Sequence, residues 1–293
     1  MSDIILKQVK DICRAYNLLL SRQKGQNFLI NQKIIEKIIA VADLKPDDTV
    51  LEVGPGLGIL TEGLIKKAKK VISVELDAKL YNFLKAKFAG AKNLELINQD
   101  ILKSQILSAR GGSALGGKSQ NYKIVANLPY NITSNFLKKF LTSEARPEAM
   151  TLLVQKEVAQ RICARPKKMS LLAVSIQLYG EPMIIEYVDK NNFWPKPEVD
   201  SAILKISDIR DQKSVDKFFG KEVIEKNFWQ LLHIGFSAKR KQLQNNLANG
   251  LKIDHQAAKR FLQMSNLSPL IRPQDLSLAN WLTLAKKLNF YLN

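Results

Sequence analysis

From Thr49 onward the chain alternates short apolar runs with stretches of helical spacing, and this alternation restricts the fold more than any single residue does. Thr49–Gly54, Val71–Glu75, Leu94–Gln99, Tyr122–Ala126, Thr151–Gln155 and Ala202–Ile206 read as strands. Gly58–Lys67 and Asp77–Phe88 have the length and leucine spacing of crossover helices. A strand–helix rhythm of this kind builds an α/β, Rossmann-like parallel sheet with helices on both faces. Open sheets of that type bind ligands beyond the carboxyl ends of their strands. The residues with chemistry fall there: Gly54, Glu75, Asp100 and Asn127 each end or directly follow one of the first four strands.

The pattern changes near residue 211. Beyond it only helical spacing remains, as in Leu278, Trp281, Leu282, Ala285 and Leu288 on one face, with Pro273 as the expected helix start. The expected organisation is a first domain over residues 1–208, including an N-terminal helix over 3–20, and a small all-helical domain over 209–293. Gly111–Gly117 reads as a glycine-rich loop without a function. Both parts are basic. Residues 211–293 hold 13 Lys or Arg against 6 Asp or Glu, a net +7, and the remainder of the chain contributes +11 of the total +18. An excess that persists across two differently patterned segments favours an extended polyanion such as RNA as the partner.

Other classes recede. The longest uncharged apolar stretch, around Met169–Gly180, is well short of the roughly 20 residues of a spanning helix. Ile4–Leu20 is broken by Lys7, Lys10, Asp11 and Arg14, so it lacks the apolar centre of a signal peptide. A cytoplasmic protein is expected. Cys13 and Cys163 are the only cysteines, and His233 and His255 lie far apart in sequence, which gives no metal site. Cys13 shares a helical face with Val9, Ile12 and Tyr16, where a small buried hydrophobe is its expected role.

The first strand runs into Gly54-Pro55-Gly56-Leu57-Gly58, giving Glu-x-Gly-x-Gly-x-Gly from Glu52. Glycines here let the backbone pass close beneath a nucleotide-like cofactor. A dinucleotide fingerprint requires glycine where Ile59 stands, so Gly54, Gly56 and Gly58 suit the amino-acid end of S-adenosylmethionine better than a pyrophosphate. Glu75 sits where an acidic residue meets ribose hydroxyls in such folds, and its neighbour Asp77 is an expected helix cap. Asp100 is placed either to accept from an adenine amine or to cap a helix.

After the fourth strand comes Asn127-Leu128-Pro129-Tyr130. The Asn127 amide oxygen and the Leu128 carbonyl are acceptors for an exocyclic amine, and the Tyr130 ring suits base stacking. Taken alone, the same four residues also fit a turn with a packed tyrosine. Thr133 or Ser134 is expected to cap the helix that follows.

Taken together and in order, Gly25-Gln26-Asn27-Phe28-Leu29, the Glu52–Gly58 loop, Glu75, Gln99-Asp100 and Asn127–Ile132 resemble the rRNA adenine dimethyltransferases. The likeness extends through Gln155–Ala159, Phe193-x-Pro195-x-Pro197-x-Val199-Asp200-Ser201 and Phe236-x-x-Lys239-Arg240-Lys241 with Asn246-Leu247, and covers roughly residues 20–280. Arg165–Ser170 departs from the family's usual turn.

The resemblance implies an S-adenosylmethionine site lined by Asn27, Leu29, Gly54, Glu75, Asp100 and Asn127. It places Asn127, Leu128, Pro129 and Tyr130 on the target adenine, with Phe193 stacking on the opposite face. It further implies dimethylation of two adjacent adenosines near the 3′ end of 16S rRNA in the 30S subunit; a monomer is the default expectation for an enzyme that docks on such a particle. Lys239, Arg240 and Lys241, with Lys213, Lys217, Lys259 and Arg260 nearby in sequence, are candidates for rRNA backbone contacts. The competing readings are a 23S-directed resistance enzyme and a non-catalytic RNA-binding assembly factor.

Overall fold

The computed structural model describes residues 2–16, 27–104, 106, 121–220 and 225–288. In chain order its elements begin α1 (Ser2–Ala15), β1 (Phe28–Leu29), α2 (Gln32–Ala42), β2 (Thr49–Val53), α3 (Ile59–Leu64), β3 (Lys70–Glu75), α4 (Ala78–Lys87) and β4 (Leu94–Asn98). They continue with β5 (Tyr122–Asn127), α5 (Thr133–Leu141), β6 (Ala149–Gln155), α6 (Lys156–Ile162), α7 (Leu171–Tyr179), β7 (Glu181–Val188), β8 (Phe193–Trp194) and β9 (Ser201–Ser207). The last five are α8 (Gln212–Phe219), α9 (Glu225–Gly235), α10 (Leu243–Leu251), α11 (His255–Met264) and α12 (Leu278–Leu288). The glycine-rich loop 111–117, residues 17–20 of the expected first helix, and Gly25 and Gln26 lie outside the described residues.

Seven strands form one sheet in the order β4-β3-β2-β5-β6-β9-β7. The first five pair in parallel, as the alternation predicts. Val50, Val71, Val125, Leu153 and Ile203 bury one face against Ile35 and Ile38 of α2 and Leu60 and Leu64 of α3. The alternate residues Leu51, Ile72, Ile124, Leu152 and Leu204 are fully buried as well. Both sets of a period-two strand are therefore covered, which is why these strands read as continuous apolar runs.

The far edge departs from expectation: β9 pairs antiparallel with β6 and with β7. The sequence reading missed β7, whose Pro182 and Glu186 interrupt the apolar pattern. A proline is tolerated there because β7 is an edge strand. A second, two-stranded sheet pairs β1 with β8, so a short strand precedes α2.

Two compact units emerge, Met1–Ala159 with Glu181–Ile209, and Gln160–Gly180 with Arg210–Asn293. Residues 160–180, placed by sequence within 1–208, thus belong to the helical unit. Hydrogen bonds give the reason: Met169 N donates to Gln274 O at 3.0 Å, Arg210 Nη1 to the carbonyls of Gln177 and Leu178, and the Tyr179 hydroxyl to Glu225 Oε1 at 3.0 Å. Pro273 opens a separate 3₁₀ turn, Pro273–Asp275, and α12 begins only at Leu278. Trp281 of α12 is fully buried, with its ring 5.3 Å from that of Phe236.

A Cβ added at Gly235 would collide with the Trp281 ring. Gly235→Ala should therefore destabilise the helical unit by about 1–3 kcal/mol through overpacking. Urea unfolding followed by circular dichroism checks this, and an unchanged midpoint would show that the ring can shift freely.

Candidate active site

Parallel register aligns the strand ends. Val53 lies opposite Val74, Glu75 opposite Asn98, and Leu51 opposite Ile124, so Gly54, Glu75 and Asn127 fall on nearly one row. The loops leaving that row enclose a cavity of about 320 Å³. Asn27, Phe28 and Leu29 line it from β1, Gly54–Leu57 from the glycine loop, and Glu75–Asp77 from the end of β3. Gln99–Ile101 and Asn127–Ile132 complete it.

The glycine loop turns tightly. Gly54, Gly56 and Gly58 all have φ between 59° and 73°. At Gly58 space adds to the requirement, since a Cβ would stand 2.6 Å from Phe88 Cε2 and 2.8 Å from Leu84 Cδ2. A Cβ at Gly54 would lie 3.6 Å from Pro129 Cδ, so the glycine loop and the Asn127–Tyr130 loop are near neighbours.

Two buried carboxylates hold this corner. Glu75 accepts from Gly56 N at 3.1 Å and from Asp77 N at 2.9 Å, so its orientation is fixed by backbone on both sides. Burial raises its pKa, opposed by those two amides. Asp77 caps α4 by accepting from Lys79 N and Leu80 N, as expected.

Beyond starting the glycine pattern, Glu52 has a structural part that this pattern does not predict. Its Oε2 accepts from Ser73 Oγ at 2.6 Å and Thr61 Oγ1 at 2.7 Å, which ties β2, β3 and α3 together below the loop. Its Oε1 is buried with no partner among the described residues. The sequence signal was available in the apolar setting of a lone acid inside a buried strand.

Asp100 caps no helix and instead closes a turn beside the cavity. Its Oδ1 accepts from Leu102 N at 2.9 Å in a turn, and the residue also lines the cavity. Asn127 Nδ2 donates to Asn27 O at 3.1 Å, joining two expected site segments 100 residues apart. With the donor side so engaged, the amide offers its acceptor side to a ligand. Leu128 is buried and its N–H donates to Leu153 O at 3.1 Å. The Tyr130 hydroxyl is hydrogen-bonded to Ser201 Oγ at 2.8 Å, which restrains the ring and gives a purpose to the final residue of the Phe193–Ser201 motif.

Phe193 is not brought to the cavity. The β1–β8 ladder sets Leu29 opposite Phe193, and the ring is 3% exposed in the core beside Val188 and Ile203. Neither Thr133 nor Ser134 caps α5: Ile132 is the N-cap, and the Thr133 hydroxyl points back to the carbonyls of Pro129 and Tyr130 at 3.5 and 3.4 Å. In the helical unit Lys239, Arg240 and Lys241 are all exposed just after the 3₁₀ turn Phe236–Ala238. Buried Asn246 fixes that turn, donating from Nδ2 to Gly235 O and Ala238 O. No group of acidic, cysteine or histidine side chains suited to a metal occurs among the described residues, and no helix among them is long and apolar enough to cross a membrane.

Burial raises the Glu52 pKa from 4.5 to about 7. The folded protein then keeps a proton that the unfolded chain has lost. This contribution is complete below pH 4.5 and disappears as pH rises through about 7. Glu52→Gln should show a smaller fall in unfolding free energy across that window, and equal pH slopes in denaturant titrations would refute the assignment.

Comparison with known proteins is consistent with this geometry. The family model for ribosomal RNA adenine dimethylase matches residues 18–289. Ribosomal RNA small subunit methyltransferase A of Dehalococcoides mccartyi is 43% identical over 277 residues, covering 94% of this chain and 91% of that protein. The protein of the same name from Clostridium botulinum is 34% identical over 271 residues, covering 92% and 94%. Among solved structures, a dimethyladenosine transferase from Plasmodium falciparum matches with a TM-score of 0.69 at 26% identity, over 89% of this chain and 97% of that one. The 23S rRNA methyltransferase ErmE gives 0.67 at 26% identity, over 90% and 100%.

Proposed function

Since the chain belongs to the ribosomal RNA adenine dimethylase family, we propose that it dimethylates N6 of two adjacent adenosines in the 3′-terminal hairpin loop of 16S rRNA, using S-adenosylmethionine. One observation carries the reading: a single cavity is lined by the glycine loop, Glu75 and Asp100 and also by the Asn127–Tyr130 loop. Cofactor and base chemistry therefore share one space. The substrate is the 30S subunit or its precursor, the enzyme acts as a cytoplasmic monomer, and modification contributes to subunit biogenesis. The relatives at 43% and 34% identity, both named for the small subunit, favour this target over 23S rRNA.

The residues present fit the cofactor. A buried Oε1 on Glu52 lacks a partner among the described residues, Glu75 ends its strand with a fixed carboxylate, and Asp100 lines the cavity two positions beyond β4. Those acceptors match an ammonium group, ribose hydroxyls and an adenine amine. When bound, the cofactor supplies an electrophilic methyl group. Asn127, through its acceptor side, and Leu128, through its carbonyl, receive the N–H groups of the target amine. Holding those hydrogens localises the nitrogen lone pair and favours the positive charge that develops on it. Tyr130, with its hydroxyl held by Ser201, offers a ring to a base extruded from its stack. No nucleophilic side chain is required, and positioning does most of the work.

The test is transfer of labelled methyl groups into immature 30S particles, followed by mapping of the modified nucleotides. Two adjacent dimethylated adenosines near the 3′ end of 16S rRNA are expected. Marks on 23S rRNA would favour the resistance reading, and binding without incorporation would favour a non-catalytic assembly factor. Asn127→Ala should lower kcat/KM by about 100-fold, in keeping with loss of a transition-state hydrogen bond. Leu128→Ala keeps its carbonyl and should be far milder. Equal losses would overturn this division of roles.

Lys239, Arg240 and Lys241 are proposed to contact rRNA phosphates. Replacing all three by alanine should weaken particle binding and flatten its dependence on salt by up to about three phosphate contacts. An unchanged salt slope would remove them from the interface.

A further inference from the structure

Lys139 lies on α5 and has no place in the chemistry described above. Its Nζ donates to three backbone carbonyls, Ile101 O at 3.0 Å, Leu102 O at 2.9 Å and Ser104 O at 2.7 Å. An ammonium has three protons, so its donor capacity is committed to one turn of backbone. That turn is the one Asp100 opens. Asp100 Oδ1 accepts from Leu102 N, and its carbonyl accepts from Lys103 N at 3.0 Å and Ser104 N at 2.8 Å. Gln99, Asp100 and Ile101 form its cavity-facing side.

The arrangement has an energetic signature. Burial lowers the pKa of Lys139, with the Asp100 charge opposing, so the ammonium is held there against a desolvation cost. A lysine needed only for solubility would project into water. The support is also well placed. Helix α5 starts at Thr133, directly after the Asn127–Ile132 loop, and Lys139 lies less than two turns further along. One helix thus adjoins the base loop at its start and clamps the Asp100 turn with its second turn.

We propose that Lys139 is a positioning residue for the reaction proposed above: by fixing the carbonyls of Ile101, Leu102 and Ser104 to α5, it holds Asp100 at the adenine end of the cofactor site. The proposal rests on assigning the cavity to S-adenosylmethionine. Lys139 touches neither cofactor nor base, so its removal acts on cofactor affinity and leaves the transfer step itself intact.

The experiment measures S-adenosylhomocysteine binding by calorimetry, together with kcat and both KM values on 30S particles. It compares the parent, Lys139→Met, Lys139→Arg and Asp100→Asn. Lys139→Met should weaken binding and raise the cofactor KM about tenfold, the scale of a charged hydrogen-bond set. Its kcat and its KM for particles should stay within about twofold of the parent. Lys139→Arg, which can also donate to adjacent carbonyls, should recover much of the loss.

If Lys139→Met binds as tightly as the parent while Asp100→Asn binds weakly, the positioning role is wrong and the cavity assignment stands. If Asp100→Asn also binds normally, the cavity assignment fails and takes the proposal with it. A fall in kcat at constant cofactor KM likewise overturns it. Should Lys139→Met not fold, Lys139→Gln, which is uncharged and cannot reach all three carbonyls, takes its place: a raised cofactor KM at parental kcat supports the role, and parental values for both contradict it.

Discussion

Strand β2 bonds in parallel to β3 on one side and β5 on the other, with Val50 opposite both Val71 and Lys123. Every placement at the site depends on this register. Helices cover both faces of the sheet, so the loops that leave the carboxyl ends are the accessible backbone, and they emerge side by side. Gly54 N donates to Val74 O at 2.9 Å, which carries the ladder one step beyond β2 and starts the glycine turn. Below it the Glu52 carboxylate collects hydroxyls from Ser73 and Thr61. At the opposite edge Lys123 Nζ meets Asp48 Oδ2 and Asp43 O, both at 2.8 Å, and fixes the start of β5 against the α2–β2 connection. A one-residue slip would turn every buried side chain to the wrong face, so the core enforces the register that the chemistry needs.

The cavity is assembled from segments far apart in sequence. Asn127 reaches Asn27, Pro129 lies against Gly54, and Tyr130 bonds Ser201. Each of these contacts joins the proposed base loop to something that shapes either the cofactor side or the far edge of the sheet. Changes on one side are therefore expected to be felt on the other, since the two halves have common walls.

The parallel strands were legible because burial on both faces leaves an unbroken apolar run, and their parallel sense followed from the helical spacers. Gly54, Glu75, Asp100 and Asn127 were legible for the same reason: each stands at the end of such a run. The edge was not. Pro182, Glu181 and Glu186 make β7 look like a loop, and only pairing with β9 makes it a strand. Residues 160–180 follow the sheet region in sequence, yet long-range bonds through Met169, Tyr179 and Arg210 place them with the helices. Phe193 shows a different limit. A motif gives the identity of a residue, but the direction of its ring depends on the phase of the two-residue β1–β8 ladder, which nothing local announces.

The central claim is that one cavity takes cofactor and target base between shared walls. A crystal structure with S-adenosylhomocysteine and adenosine bound together tests it most directly. The expected result has the cofactor's ribose at Glu75, its adenine at Asp100, its sulfur facing the Asn127–Tyr130 loop, and the free adenosine's amine at Asn127 and Leu128. Cofactor density outside this cavity, or a sulfur turned away from Asn127, would contradict the claim.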